Sequence, residues 1–379
     1  MQVPLLDLKA QYATIKEEVM AAIQVVMDSQ YFILGPEVIE LEQEVAAYCN
    51  TKYALGVSSG TDALLIAMMA ENIGGGDEVI VPAYSFFATA GCVSRLGARP
   101  VFVDIDPISF NLIPEAVAKA ITPRTKAIMP VHLYGQMAEM DAIREIADDA
   151  DITIIEDAAQ AIGSEYKGQR AGSLSDYGCF SFFPTKNLGG IGEGGMVVTD
   201  DQEKYERMRI LRVHGGERKY YHQVIGGNFR LDAIQAAVLR VKLPHLDQWT
   251  EGRRQNAAYY HELFEAAGLI VNPESLDDTS GISLPVELPD RRHIYNQYII
   301  RTSRRNELKD FLHSRGVGCE IYYPLPFQKQ ECFRYLNYKH DEFPASNSAA
   351  EQTLALPIYS ELSEEQMKYV VDTVGLFYN

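Results

Sequence analysis

Residues 179–195 read CFSFFPTKNLGGIGEGG, an apolar run followed by a single lysine and a glycine-rich loop. The apolar run resembles a buried strand, and Lys186 follows it closely. Burial of a lysine disfavours its charged form and lowers its pKa toward neutrality. Lys186 is therefore a candidate nucleophilic amine that can condense with an aldehyde. The alternative is an exposed loop lysine after an edge strand, and this stretch alone slightly favours that alternative.

Outward from this stretch, short apolar runs alternate with helical segments. Runs such as Val79-Ile80-Val81 are apolar on both faces, which is typical of a central, mostly parallel sheet covered by helices. The alternation predicts an α/β domain with a mostly parallel seven-stranded sheet. The predicted strands are Tyr53–Val57, Glu78–Val81, Pro100–Val103, Lys126–Val131, Ile152–Ile155, Tyr177–Phe182 and Met196–Thr199.

The chain is long enough for two domains. Its 379 residues exceed one ordinary domain, and Pro244 breaks a helix-like run before a long polar helix over Asp247–Ala267. We therefore expect a large domain over residues 1–245 and a smaller α+β C-terminal domain over residues 246–379.

The overall charge restricts the partners. A net charge of -18 argues against non-specific binding to nucleic acid or to anionic membranes.

The N-terminus lacks a basic segment followed by an apolar core, and no uncharged apolar run approaches membrane-spanning length. The five cysteines are scattered and are not spaced as metal ligands, so we expect reduced thiols in the cytoplasm and no metal.

Polar groups stand where predicted strands end. Ser59-Gly60-Thr61 follows a strand and begins a helix, so it either caps that helix or binds an anion such as phosphate. Asp157 can cap a helix, pair with a buried cation or bind a metal, the last being weakly supported. His132 is expected to be a hydrogen-bonded structural residue. Phe86 is either a core residue or a ring that stacks on a flat ligand.

Together these stretches resemble the sugar aminotransferases of the DegT/DnrJ/EryC1/StrS family, which are fold-type I enzymes that use pyridoxal phosphate (PLP). The resemblance covers nearly the whole chain and rests on the order and spacing of several motifs. These are Gly35-Pro36-Glu37-Val38, Ser59-Gly60-Thr61-Asp62-Ala63-Leu64, Asp77-Glu78-Val79-Ile80, Glu156-Asp157-Ala158-Ala159-Gln160, Ser181–Lys186, Asn228-Phe229-Arg230-Leu231-Asp232 and Tyr323-Pro324-Leu325-Pro326.

The resemblance implies a role for each matching residue. Lys186 would be the catalytic lysine that holds PLP covalently, and Asp157 would pair with the pyridinium nitrogen. Gln160 would lie near the phenolic oxygen of the ring, and Phe86 would stack on its face. The phosphate would be bound by Gly60, Thr61 and Ser181, and by Asn228 from a neighbouring subunit, which implies a homodimer with shared active sites.

The implied reaction passes an amino group from an amino acid, usually glutamate in this family, through pyridoxamine phosphate (PMP) to a nucleotide-linked keto-sugar. Such enzymes serve polysaccharide or glycosylated-metabolite synthesis. Lys186 counts against the related dehydratases, which carry histidine there. Lys186-Asn187-Leu188-Gly189 resembles the C3 subgroup, whereas Gly192-Glu193-Gly194-Gly195 resembles many C4 enzymes, and we favour C3. The alternatives are C4 amination, a cyclitol ketone as acceptor, and a PLP-binding regulator.

Overall fold

The computed structural model describes residues 1–273 and 281–378, in which strands and helices alternate as the sequence predicts. The strands are β1 (Tyr53–Val57), β2 (Glu78–Pro82), β3 (Arg99–Val103), β4 (Thr125–Ile128), β5 (Thr153–Asp157), β6 (Glu165–Tyr166), β7 (Gln169–Arg170), β8 (Tyr177–Ser181), β9 (Gly195–Thr199), β10 (Arg291–Arg292), β11 (Tyr298–Arg301) and β12 (Thr353–Leu356). The helices are α1 (Leu8–Ser29), α2 (Pro36–Cys49), α3 (Gly60–Ala70), α4 (Ala88–Arg95), α5 (Pro114–Ala120), α6 (Met140–Ala150), α7 (Gln202–Arg212), α8 (Ala233–Lys242), α9 (Leu246–Ala266), α10 (Arg305–Ser314), α11 (Pro344–Gln352) and α12 (Glu364–Tyr378).

The central sheet has seven strands in the order β1-β9-β8-β5-β4-β2-β3. Strands β3, β2, β4, β5 and β8 are parallel to one another, and β9 runs antiparallel to both β8 and β1. The predicted α/β class and the mostly parallel seven-stranded sheet are therefore confirmed. The carboxyl ends of the parallel strands meet at one edge, where ligands of such folds bind.

Helices cover both faces of this sheet. Alternate residues of one strand enter different hydrophobic clusters: Val79 and Val81 of β2 pack on one side, and Ile80 packs on the other. The same alternation in β5 sends Ile154 to one cluster and Ile155 to the other. Burial on both faces explains why these strands are continuous apolar runs.

One predicted strand is shorter than expected. Lys126–Val131 was predicted as a single strand, but β4 ends at Ile128. Pro130 has no backbone N–H to donate to a ladder, although its carbonyl accepts a hydrogen bond of 2.9 Å from Asp157 N. The chain continues beside β5 only as an isolated parallel bridge between Val131 and Asp157.

The C-terminal part builds a separate hydrophobic cluster from helices α9, α10 and α12 and the antiparallel pair β11–β12. Val3 joins this cluster and forms a parallel bridge with Val317, so the first residues of the chain pack against its last third. The domain division near residue 245 stays a prediction. Within the described part of the chain, no helix combines the length and apolarity needed to cross a bilayer.

Candidate active site

The ends of β5 and β8 bring the predicted site residues together. Asp157 is the last residue of β5 and is paired in parallel register with Cys179 of β8. Ser181 ends β8, and Lys186 lies in the loop that follows. Since parallel neighbours end at the same sheet edge, the carboxylate and the lysine share one site.

Lys186 is an amine with a lowered pKa. Burial lowers the pKa of Lys186 from 10.5 to about 8, and the negative charge of Asp157 partly opposes this shift. Its loop is held locally, because Lys186 N donates a hydrogen bond of 2.9 Å to Phe183 O. The next residue, Asn187, is buried and accepts a hydrogen bond of 2.7 Å from Asn296 Nδ2. The neutral amine needed for attack on an aldehyde is therefore accessible near neutral pH.

Asp157 is a buried carboxylate with two close donors. Thr89 Oγ1 donates to its Oδ2 at 2.7 Å, and Ala159 N donates to its Oδ1 at 3.2 Å. Burial raises the pKa of Asp157, while these two donors and the charge of Lys186 oppose the rise. The group is placed to pair with a cation inside the site.

Glu156, the neighbour of Asp157, points away from the site. It is fully buried and accepts from His132 Nε2 at 2.7 Å, from Gly172 N at 2.7 Å and from Ser175 Oγ at 2.6 Å. His132 Nδ1 accepts from Ala138 N at 3.2 Å, so the ring proton lies on Nε2 and is donated to Glu156. His132 is thus a hydrogen-bonded structural residue, as the sequence interpretation holds.

The start of α3 forms a cradle beside Ser181. The Ser59 hydroxyl caps the helix by accepting from Asp62 N at 3.1 Å, whereas the N–H groups of Gly60 and Thr61 begin the first turn, where a helix supplies no acceptor. A Cβ added to Gly60 would lie 2.6 Å from Ser181 Cβ, so only glycine lets the helix approach this hydroxyl. Such converging donors at a helix N-terminus suit a phosphate.

Gln160 and Phe86 both lie close to Tyr323, a residue that the sequence analysis did not assign to the site. Gln160 Nε2 donates to Tyr323 Oη at 3.0 Å, and its Oε1 accepts from Tyr134 N at 2.7 Å. The Phe86 ring is 54% exposed and its centroid lies 5.9 Å from that of Tyr323. An exposed ring at this sheet edge fits a stacking role better than a core role.

Asn228 is not gathered with these residues. It is exposed and forms only an isolated antiparallel bridge with Val213. In the part of the chain that the structure describes, no hydrogen bond joins its side chain to another predicted site residue. Its expected position at a neighbouring subunit's site stays a prediction.

Sequence reasoning missed two further buried groups. Thr89 directly contacts Asp157. In the run from Pro82 to Ala90, however, the sequence predicts a functional role only for an aromatic residue. Lys242 donates to Gly189 O at 2.7 Å and so supports the glycine-rich loop from α8. Neither residue type signals a site, and only the tertiary contact reveals these roles.

The chain matches one family of known proteins over nearly its whole length. The family model described as "DegT/DnrJ/EryC1/StrS aminotransferase family" matches residues 13–375. The chain belongs to this family. It is a pyridoxal-phosphate-dependent aminotransferase, and the predicted family, enzyme class and cofactor are confirmed.

Several relatives resemble this aminotransferase over their full length. It is 50% identical over 380 residues to the "pleiotropic regulatory protein" of Geobacillus stearothermophilus, with 100% of this chain and 99% of that protein covered. It is 46% identical over 373 residues to the "dTDP-3-amino-3,4,6-trideoxy-alpha-D-glucose transaminase" of Streptomyces venezuelae, with 98% and 95% covered. The crystal structure of S. venezuelae DesV in complex with a ketimine intermediate has a TM-score of 0.94 at 45% identity, with 100% and 99% covered.

The residues present fit PLP. An aldehyde needs the amine of Lys186, a pyridinium nitrogen needs a carboxylate such as Asp157, and a phosphate needs the donors beside Ser181. The cradle is too narrow for a side chain at Gly60, and a Cβ at Gly195 would lie 2.4 Å from Ser59 O. Glycine at these two positions therefore lets the start of helix α3 pack closely against strands β8 and β9.

Proposed function

We propose that this aminotransferase transfers an amino group from an amino acid, glutamate, to the C3 keto group of a nucleotide-linked sugar. The observation that carries the proposal is the placement of Lys186, with its pKa of about 8, and Asp157 at the same sheet edge, where the charge of Asp157 acts on the lysine. The acceptor is inferred from the S. venezuelae relative, whose name places the transferred amine at C3 of a dTDP-sugar.

Each residue then has a task. Lys186 would hold the cofactor covalently, and its Nζ would move a proton to and from the substrate carbon that carries the amine. Asp157 would pair with the pyridine nitrogen and hold its proton, and bound PLP would supply the electron sink for the reaction. Phe86 and Gln160 orient the ring by stacking and by a hydrogen bond to its phenolic oxygen. Gly60, Thr61 and Ser181 bind the phosphate.

The proposal includes a homodimer in which Asn228 reaches the phosphate of the partner subunit's cofactor. Exposed apolar side chains support an interface near Asn228, since Tyr220 is 80% and Ile225 is 90% exposed. Exposed large apolar side chains that lie together are typical of an interaction surface. We also propose that the enzyme works in the reducing cytoplasm, which its five free cysteines support.

A substrate panel tests the reaction. The purified enzyme receives glutamate with a 3-keto nucleotide sugar, a 4-keto nucleotide sugar or a cyclitol ketone, and the position of the new amine is read by NMR. We expect the 3-keto sugar to exceed the other acceptors by at least about 100-fold in kcat/KM, because a misplaced keto carbon does not reach the amine donor. The Lys186→Ala variant should turn over none of them.

Two results would contradict the proposal. Equal amination of the 4-keto sugar or of the cyclitol would overturn the C3 assignment while leaving the enzyme class intact. Tight, salt-sensitive binding to operator DNA without turnover of any acceptor would instead favour a regulator, the role named for the G. stearothermophilus relative.

A further inference from the structure

Two buried hydroxyl groups, those of Ser85 and Thr89, form a series of hydrogen bonds that ends at Asp157. Thr89 lies in the first turn of α4 and is fully buried, and Ser85 lies four residues earlier with 4% exposure. Thr89 Oγ1 is 2.7 Å from Asp157 Oδ2, and Ser85 Oγ is 2.9 Å from Thr89 Oγ1. These contacts link the segment after β2 to the end of β5.

The direction of these hydrogen bonds follows from proton counting. An ionised carboxylate can only accept, so the single hydroxyl proton of Thr89 is donated to Asp157. Thr89 Oγ1 is then the acceptor in its contact with Ser85, and the Ser85 hydroxyl must be the donor. The hydrogen bonds therefore run from Ser85 to Thr89 and from Thr89 to Asp157. Together they stabilise the ionised form of the carboxylate.

The other neighbours of Asp157 do not replace this donor. Among the described residues, Thr89 is the one side chain that donates a hydrogen bond to Asp157, the second donor being the backbone of Ala159. Burial raises the pKa values of the Cys92, Cys179 and Tyr323 side chains, which keeps them neutral. The charged or titratable groups that act on Asp157 from a greater distance are Lys186 and His132.

We propose that Thr89 is a positioning residue for the transamination: its hydroxyl keeps Asp157 ionised and fixes the orientation of the carboxylate toward the pyridine nitrogen. This inference rests on the proposed role of Asp157. Burial by itself raises the pKa of Asp157, and a hydrogen bond donated to the ionised form opposes that rise. Removal of the hydroxyl should raise the pKa of Asp157 and favour its neutral form. A neutral carboxyl group cannot stabilise a pyridinium by charge.

The test compares Thr89→Val, which has nearly the same shape but no hydroxyl, with Thr89→Ser, which keeps the donor. Both holoenzymes are loaded with PLP labelled with ¹⁵N at the ring nitrogen, whose chemical shift reports protonation. In T89V we expect the shift to move toward unprotonated pyridine and kcat to fall about 10- to 100-fold with little change in KM, the effect of losing a hydrogen bond to a charged group. T89S should keep the wild-type shift and most of the rate.

The outcomes separate this inference from the proposed function. If Asp157→Asn moves the ¹⁵N shift and T89V leaves both shift and kcat at wild-type values, the Thr89 inference is wrong and the role of Asp157 stands. If Asp157→Asn also leaves the shift unchanged, the proposed role of Asp157 fails. Thermal melts check folding, and should T89V unfold, Thr89→Ala and Ser85→Ala supply the same comparison, with Ser85→Ala giving a smaller shift in the same direction.

Discussion

At the residue scale, Lys186 shows how position alters the chemistry of a common side chain. With a pKa of about 8 rather than 10.5, about a tenth of the amine is neutral at pH 7, whereas an ordinary lysine has less than about a thousandth in that form. The charge of Asp157 opposes burial and limits this lowering of the pKa. The site therefore balances burial against one nearby carboxylate.

This balance predicts the pH dependence of cofactor capture. The rate at which apoenzyme binds PLP covalently should rise with pH through about 8 and level off above it, because only the neutral amine attacks. Borohydride trapping followed by peptide mass spectrometry measures the rate and locates the label. The label should lie on Lys186 and not on Lys242, whose pKa burial also lowers to about 8. A pH-independent rate, or label on Lys242, would contradict the assignment.

The sequence identified residues whose chemistry is unusual in its setting. Lys186 stands between an apolar strand and glycines, and Asp157 ends a strand that is otherwise apolar. Thr89 carries no such signal, because a threonine in a helix is ordinary and its contact with Asp157 joins positions 68 residues apart. Its role depends on how β2 and β5 are brought together, which local pattern does not encode.

At the scale of the element, strand β5 separates two carboxylates by its pleat. Successive side chains of a strand point to opposite faces, so Asp157 faces the site while Glu156 enters the interior beside His132. The adjacent acidic pair in the sequence therefore does two jobs. The carboxylate of Asp157 is proposed to act on the cofactor. The carboxylate of Glu156 accepts hydrogen bonds from residues 172–175 and so connects that segment to β5.

Glu156→Gln should destabilise the fold, because an amide cannot accept from all the donors that face Glu156. We expect a loss of about 3 kcal/mol in the free energy of unfolding, because the substitution leaves buried donors without a charged acceptor. Burial alone would raise the pKa of Glu156, but the bond from His132 and the other donors more than offset this and lower it. Its stabilisation is therefore present above the unfolded-state pKa and is lost as pH falls through the lower folded-state value.

Urea unfolding of wild type and E156Q across the acid range measures both effects. The variant should show a lower unfolding free energy at neutral pH and a shallower loss of stability on acidification. Glu331→Gln is a matched control, since it breaks an ion pair of 3.6 Å with Arg334 in which the two side chains are 86% and 78% exposed, and it should cost less than about 1 kcal/mol. Equal losses in the two variants would contradict the structural role of Glu156.

The strands were predictable because burial on both faces leaves a continuous apolar run, and all seven strands of the sheet were found. The end of β4 was not predictable in the same way, because the apolar run extends through Pro130, which supplies no N–H to the hydrogen-bond ladder. Boundaries therefore depend on backbone donors that hydrophobicity does not report. The same limit applies to Tyr323, whose place beside Gln160 depends on how the C-terminal part packs against the sheet.

At the scale of the whole molecule, one chain holds most of the proposed site but not all of it. Lys186, Asp157 and the phosphate cradle meet within one chain, whereas Asn228 is exposed on a segment that pairs with Val213. Nearby, Tyr220 and Tyr221 are exposed and carry cations over their rings, Lys219 at 5.2 Å and Arg218 at 4.4 Å. Aromatic residues and arginine are enriched at the cores of protein interfaces.

If the active site is shared, defects in Lys186 and Asn228 must complement each other between subunits. Lys186→Ala and Asn228→Ala homodimers should each lose activity, whereas a co-expressed mixture forms heterodimers with one site that carries both defects and one that is intact. Random pairing makes half the dimers mixed, so about a quarter of all sites should regain wild-type turnover. Purification through two different affinity tags isolates the mixed dimers, in which half the sites should work. If Asn228 acted within its own chain, each mixed dimer would contain two singly defective sites, and activity would stay at the average of the two parent variants.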